Sequence, residues 1–385
     1  MGLKMFYGEL MKRKKAYLKP SENGLFDSLD RLARIDAMGD PLINLNNIMD
    51  WEIFTPVLAL LPQTEPKGPG GRPGFHPHFM FKILVLQSVY GLADEQTQFQ
   101  ILDRRSFHRF LDITAADPVP DQNTIREFRE KLVRAGLFDA LFTAFRERLE
   151  NKGFITRKGQ IVDASFVEVP RQRNRRAENE AIKRGEVPEG WQDDPKRLSH
   201  KDVDARWTKK NDVSFYGYKN HINMDEASKL IIRSTVTDAS VHDSQALDAV
   251  TDPGDGPTFL DAGYAGPACA AVLEAKGIEA HICEKGARNH PLTDQQKRRN
   301  RKKSRRRSRV EHGFGFMTVS MKAMFRRTVG MVRNRAGVIF TNLVYNLCRV
   351  EQIIRLKTMG RKTPAMLSKT SSRTACGDRS HPEMR

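Results

Sequence analysis

The spacing of apolar residues along the chain changes near Gly159. From residue 75 to about 152, apolar residues recur with a period near 3.6, which is typical of amphipathic helices. Beyond Gly159 they gather into short runs that indicate strands. The predicted strands are 160–169, 213–223, 229–237, 258–262 and 279–283, with helices at 244–250, 267–276 and 337–356. We therefore predict an α/β protein in which a helical domain precedes a mixed sheet with helices on its faces.

These patterns divide the chain into domains. A weakly patterned N-terminal arm is predicted at 1–50, a helical domain at 51–152 and the sheet domain at 157–356. Within the sheet domain, 171–212 is polar and has few apolar anchors, which predicts a mobile insertion. The aperiodic, Ser- and Thr-rich residues 357–385 predict a disordered tail.

Two local signals refine the helical domain. Residues 66–74 are rich in Gly and Pro and predict a loop. Thr124 and Glu127 have the spacing of a capping box, in which a hydroxyl and a carboxylate each bind a free backbone N–H at the start of a helix.

Charge and cysteine content narrow the class of protein. The chain of 385 residues carries a formal net charge of +18, which favours a polyanionic partner, most simply nucleic acid. Its 39% apolar content excludes wholesale disorder. Four cysteines without CxxC spacing argue against a disulfide framework and a zinc ribbon. With no secretory or membrane-spanning segment in the sequence, we expect a cytoplasmic protein associated with the nucleoid.

The densest positive charge lies in a single run. Ten of the fifteen residues at 295–309 are Lys or Arg, and the run ends just before Glu311. We expect it to contact DNA, although charge runs are often merely solvated surface. The predicted DNA-binding residues of the run are Arg298, Arg299, Arg301, Lys302, Lys303, Arg307 and Arg309.

Three carboxylates occupy unusual positions. Asp163 lies inside an apolar strand, Asp261 ends another strand, and Glu311 opens a helical stripe of apolar residues, where we expect it to face inward. An isolated ionised carboxylate is costly inside a protein, and converging carboxylates repel one another. A divalent metal relieves both costs, and a donor set of oxygen atoms suits Mg²⁺ or Mn²⁺.

Ordinary roles for two of these residues stay open. Asp261 alone could cap a turn, and Glu311 alone could pair with Arg307, four residues earlier. Lys219 and His221 alternate on one face of a predicted strand. They could contact DNA, order the site or simply face solvent.

Six motifs in order resemble the DDE transposases of bacterial insertion sequences, specifically the insertion-sequence-five family. They are 161–165 (IVDAS), 216–221 (YGYKNH), 241–245 (VHDSQ), 261–264 (DAGY), 308–312 (SRVEH) and 342–347 (NLVYNL). The resemblance implies a ribonuclease-H-like catalytic domain in which Asp163, Asp261 and Glu311 hold two Mg²⁺ ions, with Mn²⁺ as an alternative. It also implies two-metal phosphoryl transfer on double-stranded DNA, at terminal inverted repeats and at the target, by a homodimer.

The family signature around the glutamate is only partly present. The family pattern Tyr-x2-Arg-x3-Glu-x6-Lys falls here on Ser304, Arg307, Glu311 and Thr318, so Tyr and Lys are replaced. Lys322, one helical turn further on, could supply the missing DNA contact. The missing Lys also keeps open a catalytically inactive, transposase-derived DNA-binding protein. An RNA-binding protein that uses its basic run alone would leave the strand motifs unexplained.

Overall fold

The computed structural model describes Gly24 and residues 26–62, 73–287 and 290–366. The chain divides into two compact units, 1–41 and 42–385. In the first, Asp27–Met38 forms helix α1, with Asp27 and Asp30 in its first turn, where acidic side chains favour a helix. The predicted N-terminal arm is therefore helical in part, and its residues 1–23 lie outside the described residues, as does most of the loop predicted at 66–74.

Helices fill the chain from Pro41, the last residue of the first unit, through the first part of the second unit. They are α2 (Pro41–Ile48), a 3₁₀ turn (Trp51–Phe54), α3 (Thr55–Leu58), α4 (Pro77–Tyr90), α5 (Asp94–Asp103), α6 (Arg105–Leu111), α7 (Gln122–Arg134) and α8 (Leu137–Asn151). Aromatic side chains such as Phe54, Phe81 and Phe145 are buried together in the core of this region. The helical pattern of the sequence is confirmed here.

The cap of α7 differs from the sequence prediction. Asp121 is the N-cap residue, and its Oδ1 accepts a hydrogen bond from the backbone N–H of Thr124 at 2.7 Å. The predicted capping box of Thr124 and Glu127 is therefore wrong. Asp121 stands three residues before Thr124 and does the capping instead, since both residue types suit that position.

Within the described residues, six strands form one mixed sheet. They are β1 (Gln160–Glu168), β2 (Arg206–Lys210), β3 (Val213–Asp225), β4 (Ile231–Asp238), β5 (Thr258–Leu260) and β6 (Ala280–Ile282). The strands run in the order β2-β3-β1-β5-β6, and β4 also pairs with β3. Strand β3 is antiparallel to β1, β2 and β4, whereas β1, β5 and β6 are parallel. The predicted mixed sheet is confirmed.

The remaining helices lie between and after the strands. They are α9 (Arg176–Lys183), α10 (Pro195–His200), a 3₁₀ turn (Asp243–Ala246), α11 (Leu247–Val250), a 3₁₀ turn (Ala262–Tyr264), α12 (Pro267–Ala275), α13 (Asp294–Arg307), α14 (Arg309–Gly315), a π-helical turn (Phe316–Ser320) and α15 (Met331–Met366).

Both faces of the sheet are covered. Along β1, Ile161 packs with the core that includes α14 and α15, and its neighbour Val162 packs with α11 and α12. Alternate residues of a strand point to opposite faces, so this change of partner defines two layers of helices on the sheet.

The segment 171–212 is not the irregular loop that its composition predicts. It contains α9, α10 and β2, and its Trp191 is fully buried. The Trp191 indole N–H donates to Glu178 Oε1 at 3.1 Å, and the Arg197 guanidinium lies 5.2 Å from the centre of its ring. One large aromatic side chain thus supplies much of the apolar burial that the segment otherwise lacks.

Asp202 joins this insertion to two other parts of the fold. Its carboxylate is 2% exposed and accepts hydrogen bonds from the Tyr218 hydroxyl at 2.8 Å and from the Gly330 backbone N–H at 3.1 Å. Next to it, Asp204 accepts a hydrogen bond from the N–H of Met331, the first residue of α15. The end of the insertion is therefore tied both to β3 and to the start of α15.

The C-terminal boundary also differs from the prediction. Helix α15 continues to Met366, so 357–366, predicted to be disordered, is helical. The rest of the predicted tail lies outside the described residues. In the described part of the chain, no helix is both long enough and apolar enough to span a membrane.

Candidate active site

Asp163 and Asp261 lie side by side on neighbouring parallel strands. Strands β1 and β5 pair in the register Gln160 with Thr258 and Ile161 with Phe259. Asp163 lies two residues further along β1, and Asp261 directly follows the last residue of β5, so the same register carries the two residues to neighbouring positions. Because side chains alternate along a strand, both carboxylates share the sheet face of Ile161 and Phe259.

One cation lies between these two carboxylates. Nη1 of Arg307, the last residue of α13, is 3.4 Å from Asp261 Oδ2 and 3.8 Å from Asp163 Oδ2. Helix α13 packs beside β5 and β6, where Lys303 Nζ donates to the Ile282 carbonyl at 2.6 Å. That packing fixes the end of α13, and with it Arg307, over the paired aspartates.

The two carboxylates differ in their surroundings. Burial raises the pKa of Asp163, and the charge of Asp261 raises it further, whereas the Arg307 charge and a hydrogen bond from the Ala164 N–H lower it. Asp261 is more exposed, and its Oδ1 accepts a hydrogen bond from the Gly263 N–H at 2.8 Å, which caps the 3₁₀ turn. The turn-capping role left open for Asp261 is thus present together with its place beside Asp163.

Glu311 lies one helical turn beyond Arg307, in α14, and is exposed. The buried positions of α14 are Val310 and Gly313, so the expectation that Glu311 faces inward with the apolar stripe is wrong. Among the described residues, no three Asp, Glu, His or Cys side chains are grouped closely enough to hold a metal ion. Two aspartate oxygens facing one cation are hard donors that suit Mg²⁺ or Mn²⁺. Glu311 would have to turn towards them to complete the set.

Lys219 and His221, which were predicted to contact DNA, are buried. Strand β3 has partners on both edges and helices on both faces, and His221 is 0% exposed. Burial lowers the pKa of His221 to about 4, so its ring is neutral at physiological pH. Lys219 Nζ donates to the Val241 carbonyl at 2.7 Å and to Asp243 Oδ1 at 2.9 Å. Their burial and their hydrogen bonds within the protein argue against a direct DNA contact and against a solvated strand face.

The residues of the basic run have two kinds of surroundings. Arg299 Nε donates to Glu284 Oε1 at 2.9 Å, and Arg309 Nη1 to the Glu226 carbonyl at 3.1 Å, as Lys303 does to Ile282. Four other members are exposed, and their side chains have no ion pair or hydrogen bond to any described residue. These four residues, which we call the free stripe, are Arg298, Arg301, Lys302 and Arg305.

Helical spacing explains the free stripe. Its members are three, four and seven residues from Arg298 and so lie on one side of α13, while the paired cations lie on the other. Arg305 was not singled out by the sequence, because charge alone does not distinguish the two sides of a basic helix. Lys322 is exposed, in a left-handed backbone conformation at φ 51°.

Two further residues near the aspartates were missed. Lys210 of β2 acts electrostatically on Asp163, lowering its pKa, but it belongs to the insertion that was expected to be mobile. The Tyr264 hydroxyl, three residues after Asp261, is buried and has no hydrogen-bond partner in the described part of the chain. Burial raises the pKa of Tyr264, followed by the charges of Asp243, Asp163 and Asp261.

Comparison with known protein families gives two matches. The model described as "Transposase DDE domain" matches residues 155–347, just over half of the chain, and includes Asp163, Asp261 and Glu311. The model described as "Transposase domain (DUF772)" matches residues 29–131, in the helical part. No solved structure matches the chain.

Proposed function

This chain belongs to the transposase DDE domain family, and from that premise we propose that it binds the terminal inverted repeats of an insertion sequence, cleaves at the ends of the element and joins them to target DNA. The observation that carries the proposal is the pairing of Asp163 and Asp261 on adjacent parallel strands, with Oδ2 of each within 4 Å of the Arg307 cation. Two converging carboxylates beside a basic helix suit the handling of a phosphodiester.

Each carboxylate has a distinct task in this proposal. Asp163 and Asp261 hold the divalent ions from the sheet, and Glu311 completes the donor set from α14. Bound Mg²⁺ or Mn²⁺ would supply Lewis-acid stabilisation of the charge that develops on the phosphate. Strand β1 holds Asp163 in place, and the capping bond to the Gly263 N–H holds Asp261, so these two side chains need little rearrangement before the reaction.

The free stripe is the proposed track for the DNA backbone. From Arg298 to Arg305 it spans about 10 Å along the helix axis. Its four cations have no competing partner among the described residues, so a phosphate need not displace an internal ion pair. On the other side of α13, Arg299 and Lys303 bind groups of the protein itself and help to hold the helix in place.

The strand order supports a finer assignment. Leaving out the β2 hairpin, the order β4-β3-β1-β5-β6, with three antiparallel and two parallel strands, agrees with a ribonuclease-H-like domain at 157–356. We also infer membership of the insertion-sequence-five family from the motifs 216–221 and 241–245. The helical region at 51–152 is proposed to read the inverted repeats, and a homodimer to bring two ends together.

A cleavage assay tests the proposal. Asp163→Asn, Asp261→Asn and Glu311→Gln should each abolish cleavage of a plasmid that carries the element ends, since each removes one charge with little change in shape. DNA binding should persist. Asp248→Asn is the matched control, because this carboxylate is 72% exposed and pairs with Lys276 away from the site. An Asp163→Asn or Asp261→Asn protein that cleaves as well as the wild type in Mg²⁺ would refute the site.

The inactive alternative has one observation in its favour. Thr318 carries no charge, and its hydroxyl donates to the Phe314 carbonyl at 2.7 Å, within its own helix. A wild-type protein that binds the element ends but joins none of them to target DNA in Mg²⁺ or Mn²⁺ would establish this alternative.

A further inference from the structure

Arg307 holds its two aspartates in an unusual way. Its Nη1 lies 3.4 and 3.8 Å from their oxygens, whereas a charge-assisted hydrogen bond is usually about 2.7–2.9 Å long. Its Nε is buried and has no hydrogen-bond partner in the described part of the chain. The guanidinium is thus held by charge, without a directional bond that would resist displacement.

The Arg307 guanidinium stabilises the ionised form of Asp163, but it would also repel a metal ion held by the same carboxylates. Asp163 is mostly buried and faces Asp261, and each of these effects raises its pKa, while Arg307 is the largest effect in the opposite direction. Asp163 and Asp261 would hold a divalent ion through the same oxygens that Arg307 Nη1 approaches to 3.8 and 3.4 Å. The guanidinium and the ion carry like charges, so they would repel each other there.

A phosphate can offer Arg307 another partner. The phosphodiester on which the site is proposed to act must lie beside Asp163 and Asp261, and Arg307 Nη1 lies within 4 Å of both carboxylates. That phosphate would therefore come within reach of the Arg307 side chain. Its side chain is 24% exposed, so the route outward is open.

We infer that Arg307 competes with the divalent ions for Asp163 and Asp261 and gives way when DNA supplies a phosphate. This inference rests on the proposed function and adds a coupling to it. Metal binding and DNA binding strengthen each other through one side chain, and by linkage the factor is the same in both directions. The protein alone then binds metal weakly, and the reactive site assembles on DNA.

A titration with Mn²⁺, measured by calorimetry, tests the coupling between metal binding and DNA binding. The proteins are wild type and Arg307→Gln, each with and without a saturating duplex that lacks the inverted repeats. Without DNA, Arg307→Gln should bind Mn²⁺ more tightly than wild type, by roughly 5- to 100-fold. DNA should tighten Mn²⁺ binding to wild type by a similar factor and leave Arg307→Gln almost unchanged. Mn²⁺ should also raise the melting temperature of Arg307→Gln more than that of wild type.

Two further variants distinguish a failure of the proposed metal site from a failure of the proposed competition. Lys297→Gln removes the same charge from the same helix; Lys297 pairs with Asp294 and with neither active-site aspartate, so this variant should behave as wild type towards Mn²⁺. If Asp163→Asn abolishes Mn²⁺ binding but Arg307→Gln leaves the affinity unchanged or lower, the metal site stands and the competition is overturned. If Asp163→Asn binds Mn²⁺ as wild type does, the ion is elsewhere, and both the proposed metal site and the competition fail.

Discussion

Asn220 and Asn342 exchange two hydrogen bonds across a sequence separation of 122 residues. Each side-chain amide donates to the carbonyl oxygen of the other, at 2.9 and 3.1 Å, and both residues are 0% exposed. The pair joins the central strand β3 to helix α15. Because β3 also pairs with β1, this contact helps to hold α15 against the sheet that carries Asp163.

Breaking one side of this pair should be costly. Asn342→Leu leaves the Asn220 amide buried without its partner, which should lower the free energy of unfolding by about 1–3 kcal/mol. The double variant Asn220→Leu/Asn342→Leu should recover part of the loss, because neither polar group then remains. Urea unfolding of wild type, Asn220→Leu, Asn342→Leu and the double variant gives the coupling, and strictly additive effects would show that the pair is not a unit.

The free stripe should control the salt dependence of DNA binding. Arg301→Gln/Arg305→Gln removes two exposed cations, so the slope of log affinity against log salt should become shallower by about 0.9 for each phosphate that the variant no longer neutralises. The matched control, Arg299→Gln/Lys303→Gln, removes two cations that bind internal groups, and its slope should stay close to wild type.

The stripe variant should bind both random DNA and the inverted repeats more weakly, and by a similar factor, since phosphate contacts position a protein without reading bases. Equal slopes for the stripe variant and wild type would mean that α13 is only a solvated surface. A greater change in the control pair would mean that DNA lies along the opposite side of the helix.

The ionised Asp163 side chain should lower the stability of the folded protein, and the size of this effect should depend on pH. The pKa of Asp163 is raised by burial, so its ionised form is favoured less in the folded protein than in the unfolded chain. Asp163→Asn should therefore raise the melting temperature at pH 7 by a few degrees in the presence of EDTA. The gain should shrink as the pH falls through the raised pKa and vanish below about pH 3.9, where both states are protonated. A gain that is equal at pH 7 and pH 3.5 would contradict this account.

The folded structure of the insertion at 171–212 should depend on the buried side chain of Trp191. Trp191→Ala removes its fully buried ring, and large aromatic truncations cost about 3–5 kcal/mol. Trypsin should then cut within 171–201, which is rich in Lys and Arg, before it cuts the sheet, as followed by mass spectrometry. Trp207→Ala is the control, because Trp207 is 42% exposed, and its digestion should match wild type. Early cleavage in both variants would mean that the segment is held by something other than Trp191.

The sheet could be predicted because its strands differ in sequence from the turn residues that flank them. Residues 258–260 and 280–282 form short apolar runs bounded by turn residues, and both became strands. The insertion was missed for the opposite reason. Its helices have few apolar residues, and Trp191 stabilises them through partners such as Arg197, which a periodicity search does not count.

The site could be predicted only in part, because side-chain surroundings depend on distant contacts. Lys219 and His221 alternate along β3 in a pattern that would suit an exposed face, but β3 is central and covered on both faces. Arg307 was expected to contact DNA, and nothing in its sequence neighbourhood indicates that it faces two aspartates from other strands. Its contacts follow from the packing of α13 beside β5 and β6.

The Asp202 contacts bear on how the protein could be shortened or recombined. Removing 171–212 would look conservative on a sequence alignment, since the ends of β1 and β3 are close in space. Yet the excised piece would take with it Asp202, the acceptor for the Tyr218 hydroxyl and the Gly330 N–H, and Asp204, the acceptor for the Met331 N–H. A minimal catalytic domain without the insertion would leave the N-terminal end of α15 without these hydrogen-bond acceptors. The insertion is therefore not a transferable module, and chimeras should be joined outside it.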